Sequence, residues 1–401
     1  MSLADRLRMF ETSCESAPKV DFQALPWQLG GVLQTNQWGT YLLCDAHYPL
    51  DYYHGDRQLG SLLRYHGQSV DCISPCFDQK LDLDQLVFLD TETTGLSRGT
   101  GTYVFLVGLG YFTETGFRIS QYFLPDYSEE LAMLSRLSEE LGPKTGLVSF
   151  NGKAFDVPLL QTRLICQRLP QWHLPKMHMD LLHSARRLWK GTLDSCSLSS
   201  LEVNVLGFSR RDDVPGYLIP ERYFNYLASC DATPLKEVLR HNRQDILSMV
   251  TLTELLIRIY SAPELIDDPK MLMRVAKHRA SLGDSLGAEA LYAQVLREKS
   301  PSSYGPLAMG RLAKIYKRQG KWGPAIDLWY RLIAEGGRFE LEPFEELAKY
   351  YEHREKDYPQ AIKIVNEAIC RIKSDPLQRK LNNDSLSRLD YRLERLQRKL
   401  G

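Results

Sequence analysis

Val87-Phe88-Leu89-Asp90-Thr91-Glu92-Thr93-Thr94-Gly95-Leu96 decides how the chain is read. Leu86 to Asp90 is a short apolar run of the kind that forms a buried strand. Asp90 and Glu92 stand two apart at its end, so they point to the same side of a sheet. Two carboxylates together at a strand end are costly unless a cation joins them. An exposed acidic turn would explain the charges but not the four apolar residues before them.

Working outward, Thr102–Phe112 and Phe117–Leu124 read as two further strands joined by a turn at Thr113–Gly116. Glu129–Leu141 has helical spacing, with Ser128 as N-cap and a stop at Gly142-Pro143. Gly146–Phe150 returns as a strand, and a helix runs through Phe155–Arg168. Three sequential strands followed by alternating helix and strand predict a mixed sheet covered by helices. Between the last strand and helix, Asn151-Gly152-Lys153-Ala154-Phe155-Asp156 puts Asp156 where the chain leaves the sheet, and sheet ends are where ligands bind. In Leu239–Asp245, His241 and Asp245 are four apart and share one helical face.

These three elements, in this order, resemble the DEDD superfamily of 3′–5′ exonucleases, built on the α/β ribonuclease-H-like fold. Asp-Thr-Glu-Thr-Thr-Gly-Leu is similar to its first motif, Asn-x-x-x-Phe-Asp to its second and His-x-x-x-Asp to its third. The resemblance implies that Asp90, Glu92, Asp156 and Asp245 are ligands of two divalent ions, Mg²⁺ or Mn²⁺, and that His241 is the general base. Hard oxygen donors suit those ions, and two of them can activate a water and stabilise the leaving oxygen of a phosphodiester. His241 departs from the pattern: it lies four residues before the last aspartate, the spacing of the superfamily's tyrosine branch, whereas histidine usually stands at five. A histidine hydrogen-bonded behind a carboxylate is the other reading of His241.

Thr94 and Leu96 match positions that contact the terminal nucleotide, and Asn151 belongs to the second motif. Asp180 is expected to cap the helix after it. Arg186, Arg187 and Lys190 read equally as phosphate contacts or as a solvated face. His173, His178 and His183 recur every five residues, a spacing that does not gather three metal ligands on a helix. The run Asp180 to Trp189, the Ser197–Glu202 segment, Asp212–Gly216 and His241-Asn242 together resemble the bacterial YprB-like branch, which joins such a nuclease domain to tetratricopeptide repeats. That branch implies an exonuclease favouring DNA over RNA, with a role in repair beside a helicase. No Gly-x-x-x-x-Gly-Lys-Ser/Thr loop occurs, so unwinding falls to another protein. An RNA exonuclease and a repeat scaffold with a weak nuclease domain are the alternatives.

After Ser261 the pattern is all-α. Ala288, Ala325 and Ala361 align in repeated helices 37 and 36 residues apart, with Ala313/Tyr316 and Ala348/Tyr351 on the preceding helices, resembling tetratricopeptide repeats. Ser385–Leu400 carries a leucine seam and is expected to cap the stack, with Arg388, Arg392, Arg395, Arg398 and Lys399 on its outer face. The expected domains are a short-stranded N-terminal extension (1–80), the nuclease domain (81–260), the repeats (261–372) and the basic capping helix (373–401).

The 401 residues hold 50 basic and 50 acidic side chains, a balance that argues against tight binding of nucleic acid by bulk charge. Only residues 371–401, with nine basic against four acidic residues, are clearly basic. The longest apolar run, Tyr103–Phe112, is far short of the roughly 20 residues a membrane span needs, and Met1–Phe10 lacks the pattern of a secretory signal. A cytoplasmic protein is expected, its eight scattered cysteines idle thiols.

Overall fold

The computed structural model describes residues 21–65, 73, 83–95, 99–169, 175, 177–297, 303–335, 339–374, 378 and 381–400. The chain divides between Ser261 and Ala262 into two compact units. The first is a seven-stranded mixed sheet flanked by helices. In chain order its elements are α1 (Leu25–Leu29), β1 (Val32–Asn36), β2 (Gly39–Tyr48), the small hairpin β3 (Tyr53–His54) and β4 (Arg57–Gln58), β5 (Leu86–Thr93), β6 (Val104–Thr113), β7 (Gly116–Phe123), α2 (Glu130–Leu141), β8 (Gly146–Ser149), α3 (Asp156–Cys166), β9 (Met177–Asp180), α4 (Leu181–Trp189), α5 (Leu198–Leu201), α6 (Ile219–Ser229) and α7 (Leu235–Ser261).

The spatial order is β1-β2-β7-β6-β5-β8-β9. β5, β8 and β9 run parallel, and the other neighbours are antiparallel. β5 lies inside the sheet between β6 and β8, which is why Leu86–Leu89 are all buried. The hairpin β1–β2 is part of this sheet: β2 pairs with β7 from Leu42 to Tyr48. Residues 32–48 are therefore an edge of this sheet rather than an extension before it. The expected turn at Thr113–Gly116 shortens to Glu114-Thr115 because Thr113 and Gly116 pair with each other. The helix-start reading also needs correction. Asp126, not Ser128, caps the turn before α2, accepting from the Ser128 amide at 2.9 Å and its hydroxyl at 2.7 Å.

α7 packs across β5 and β6. Gly108 and Gly110 make that approach possible. A Cβ on Gly108 would meet Asn242 Oδ1 at 2.2 Å and Ile246 Cδ1 at 2.5 Å, and one on Gly110 would meet Ile246 Cγ2 at 2.4 Å. α3 is tied to α2 by a buried ion pair in which Arg163 Nε and Nη2 each donate to Glu130 at 2.6 Å.

The second unit is helical: α8 (Pro269–Ser281), α9 (Ser285–Arg297), α10 (Gly305–Arg318), α11 (Trp322–Glu335), α12 (Glu342–Tyr350), α13 (Tyr358–Ser374) and α14 (Asn383–Leu400). Each of α8 to α13 packs on the next, and α14 packs on α13. Ala288, Ala325 and Ala361 are fully buried on α9, α11 and α13. On α14 Leu386, Leu389 and Leu396 are buried, while Leu400 is exposed. Of the basic face expected to point outward, Arg388, Arg398 and Lys399 are exposed, but three of the five residues are not free. Arg392, Arg395 and Lys399 all donate to Glu352 at 2.7–2.8 Å, and that side chain is fully buried in the turn after α12. Burial raises the Glu352 carboxyl, but the bonds from Lys399 and Arg395 outweigh it and hold the group below its ordinary value. Only Arg388 and Arg398 of the five bond locally, to Ser385 and to the Glu394 carbonyl. No helix among the described residues is long and apolar enough to cross a membrane.

Gly108→Ala forces a methyl against the Asn242 amide, whose buried hydrogen bonds keep it from yielding. The expected cost is about 1–3 kcal/mol, read as a lower urea midpoint with little change in slope.

Candidate active site

β5 passes from core to opening between Leu89 and Asp90: the strand is buried up to Leu89 and half-buried from Asp90 onward. Asp90 and Glu92 both line a cavity of about 250 Å³ beside Thr91, Asn151, Phe155 and Asp156. Asp156 is the first residue of α3, and Thr91 Oγ1 donates to its Oδ1 at 2.5 Å.

The loop that delivers Asp156 is fixed by backbone geometry. Asn151 adopts φ 67°, a left-handed conformation that Asn tolerates better than most residues. At Gly152 a Cβ would sit 2.5 Å from Ser149 Oγ and 3.2 Å from Asp156 Oδ2. Asp180 clamps this loop from β9. Its Oδ1 accepts from the Asn151 amide at 2.8 Å and its Oδ2 from the Lys153 amide at 3.1 Å. The same Oδ1 caps α4 through the Leu182 amide, 3.1 Å away. The expected cap is present, and the side chain also shapes the site.

His241 and Asp245 come from α7 and line an adjoining opening of about 440 Å³ with Arg210 and Asp213; Gly216 borders both spaces. His241 Nε2 lies 3.8 Å from Asp245 Oδ2. His241 Nδ1 lies 2.8 and 3.0 Å from the two oxygens of Asp213 and 3.1 Å from Arg210 Nη1. Burial raises the Asp213 carboxyl, yet His241 and Arg210 together hold it below its ordinary value.

Behind Asp90 runs a buried amide chain. Gln121 Nε2 donates to Asn242 Oδ1 at 2.7 Å and to the Leu239 carbonyl at 2.8 Å, and Asn242 Nδ2 donates to Asp90 Oδ2 at 2.8 Å. Asn242 and Gln121 are fully buried.

The carboxylates strain one another. Burial, then the charges of Asp245, Glu92 and Asp156, pushes Asp90 well above the carboxylate range. Burial, then Asp245 and Asp156, does the same to Glu92, against partial relief from Arg210. Asp156 rises to about 6 through burial, opposed by the Thr91 hydrogen bond. Among the described residues, no three His, Cys, Asp or Glu side chains form a ready-made ion site. The donor chemistry fits a hard divalent cation all the same: mutually repelling carboxylates line one cavity, and an ion would relieve what burial and repulsion impose.

The other expected residues fall elsewhere. Thr94 Oγ1 accepts from the Tyr103 amide at 2.9 Å, so it ties β5 to the start of β6. Leu96 and His173 lie outside the described residues. Arg186 is exposed on α4, and Arg187 donates to the Ile73 carbonyl at 3.2 Å; neither lines the two openings. His178 bonds Ser149 Oγ at 2.7 Å, while His183 is exposed. Sequence reasoning assigned no role to Thr91, Gln121, Glu202, Arg210, Asp213 or Asn242. Asp213, Glu202 and Asn242 stood in it only as letters of a family pattern. Polar residues inside otherwise apolar strands and helices, such as Gln121 beside Tyr122-Phe123, were the available signal.

A family model described as RNase_H superfamily matches residues 87–257, a span that contains Asp90, Glu92, Asp156, His241 and Asp245. The chain thus carries a nuclease domain of the ribonuclease H superfamily, a class that hydrolyses nucleic acid. The uncharacterized protein YprB of Bacillus subtilis (strain 168) is 32% identical over 371 residues, 89% of this chain and 86% of the relative. The chain belongs to the YprB family.

The raised Asp156 carboxyl sets a pH dependence. With its folded pKa about 6 against an ordinary 3.8, it favours folding most below the lower value, and that contribution is lost as pH rises through the higher one. In chelator, urea denaturation should show the Asp156 contribution as a gain in stability between about pH 6 and pH 4, with a smaller gain in Asp156→Asn. An equal gain in the variant would remove Asp156 as a source.

Proposed function

We propose that the chain is a metal-dependent 3′–5′ exonuclease of the DEDD type acting on DNA, using two ions of Mg²⁺ or Mn²⁺, with a tetratricopeptide-like unit that holds a protein partner such as a helicase. The observation that carries this reading is the meeting of Asp90, Glu92 and Asp156 in one cavity, with Asp245 and His241 bordering the next. Small buried residues recurring on α9, α11 and α13 support the repeat reading.

Asp90, Glu92, Asp156 and Asp245 would hold the ions, which when bound supply Lewis-acid stabilisation of the phosphoryl charge and a more acidic water. The chain's own residues do the rest. Asn242 fixes Asp90 through its Oδ2, and Thr91 fixes Asp156 through its Oδ1, so each carboxylate presents its remaining oxygen. With its Nδ1 proton turned to Asp213, His241 can accept a proton at Nε2 from the attacking water. The four-residue spacing of His241 to Asp245 is compatible with this role, because one helical turn leaves Nε2 beside the last aspartate.

The test uses 5′-labelled single-stranded DNA, duplex DNA and RNA with Mg²⁺, Mn²⁺ or chelator. A metal-dependent ladder shortening from the 3′ end of DNA is expected, and Asp156→Asn should abolish it. His241→Ala is expected to lose about 10²–10⁴-fold in rate while keeping its Mn²⁺ affinity. Degradation of RNA alone would make the substrate RNA. No degradation of any polymer would favour a scaffold with an inactive nuclease domain.

A further inference from the structure

The hairpin β3–β4 lies before residues 87–257, yet it is fastened to the stretch that leads to Arg210, a π-helical turn at Glu202–Leu206 followed by Gly207 and Phe208. The Asp56 amide donates to the Leu206 carbonyl at 2.9 Å, and the His54 and Phe208 ring centres lie 3.9 Å apart. A Cβ on Gly55 would meet that carbonyl oxygen at 2.1 Å, and one on Gly207 would meet the Asp56 carboxylate at 2.2 Å, so the two segments close over glycine. Arg57 pins the hairpin to α7 by donating to Glu254 at 2.5 Å. Beneath these contacts a buried polar chain starts at His54. Its Nε2 lies 2.7 Å from Ser248 Oγ, and Ser248 donates to Glu202 Oε1. With its one proton given to Glu202, Ser248 accepts from His54.

Glu202, 1% exposed, passes this hold to Arg210. Arg210 Nε and Nη2 donate to its two oxygens at 2.7 and 2.5 Å, a fork-to-fork pair. Nη2 also donates to Asp245 Oδ1, while Nη1 donates to Asp213 Oδ2 at 3.1 Å and lies 3.1 Å from His241 Nδ1. All three guanidinium nitrogens are engaged by groups of the chain, so Arg210 acts on side chains rather than on a phosphate. Asp245 Oδ2 stays open beside His241 Nε2, as Asp90 and Asp156 each keep one oxygen open. Asn242 and Thr91 fix those two aspartates, and a guanidinium fixes the third.

We propose that Arg210 and Glu202 are positioning residues for Asp245 and, through Asp213, for His241, and that the hairpin β3–β4 belongs to the same device because His54 and Ser248 hold Glu202. This rests on the reading of the carboxylates as an ion site. Groups that orient a metal ligand change metal affinity or turnover by about 10–100-fold when they are lost.

The test reads the Mn²⁺ affinity of the full chain by calorimetry, then kcat and KM on 5′-labelled DNA, in variants that leave the charge of the site unchanged. Arg210→Lys keeps the charge and loses the fork. It should weaken Mn²⁺ binding and lower kcat, each by about 10–100-fold, with KM for DNA within about twofold of the wild type. His54→Ala and Ser248→Ala should move both quantities the same way by a smaller factor, and His54→Gln, which keeps a donor at that reach, should recover them. These neutral variants carry the test alone if circular dichroism shows that Arg210→Lys does not fold. A lower melting temperature with Mn²⁺ affinity and kcat unchanged would show an ion pair that only supports the fold, and a raised KM with kcat unchanged would make Arg210 a substrate contact; either overturns the proposal. Wild-type values in folded His54→Ala and Ser248→Ala would remove the hairpin from the device. A wild type that binds Mn²⁺ no better than Asp156→Asn would instead sink the ion-site reading itself.

Discussion

Three carboxyl groups with no positive partner among the described residues share the space where β5 leaves the core, and most of the surrounding architecture follows from the need to hold them there. A lone buried carboxylate escapes its desolvation cost by taking a proton. Asp90 and Glu92 face that cost and the charges of Asp245 and Asp156 as well, which is why both are pushed well above the ordinary range. Such an arrangement is unfavourable for a fold on its own and becomes favourable when a cation binds, so site and stability are coupled.

Rigid elements impose the arrangement. Asp90 is placed by its position in an interior strand and by Asn242, itself held by Gln121 of β7. That chain requires α7 to lie close on the sheet, and Gly108 and Gly110 permit the approach. Asp156 is placed by a loop that needs Asn at φ 67°, Gly at the next position and Asp180 as a backbone clamp. His241 and Asp245 are placed by one turn of a 27-residue helix. Local choices at Gly108, Gly152 and Asp180 thus serve one electrostatic end.

The sheet was legible where the chain pairs with its near neighbours. Apolar runs and turns marked β5, β6, β7 and β8, because burial on both faces writes an uninterrupted apolar string. The membership of β1 and β2 was not legible, since Leu42 pairs with Phe123, some eighty residues away, and nothing local encodes that partnership. The four carboxylates and His241 could be read because their motifs are compact. Arg210 and Glu202 could not: their meaning depends on a π-helical turn at Glu202–Leu206 and on Ser248 coming up behind it. The basic residues of α14 were legible only in part for a related reason. Helical spacing shows that Arg392, Arg395 and Lys399 share a face, but not that a buried Glu352 from another helix pair holds all three.

The coupling between cation and carboxylate strain is most directly tested by thermal melting of the wild type and Asp90→Asn, each in chelator and in Mn²⁺. If the strain is real, Asp90→Asn melts higher than the wild type in chelator, because it removes a buried repelling charge. Mn²⁺ at about 100 times its dissociation constant then stabilises the wild type by about 2.7 kcal/mol and the variant by much less. A variant that melts lower than the wild type in chelator, together with no shift of the wild type in Mn²⁺, would contradict it.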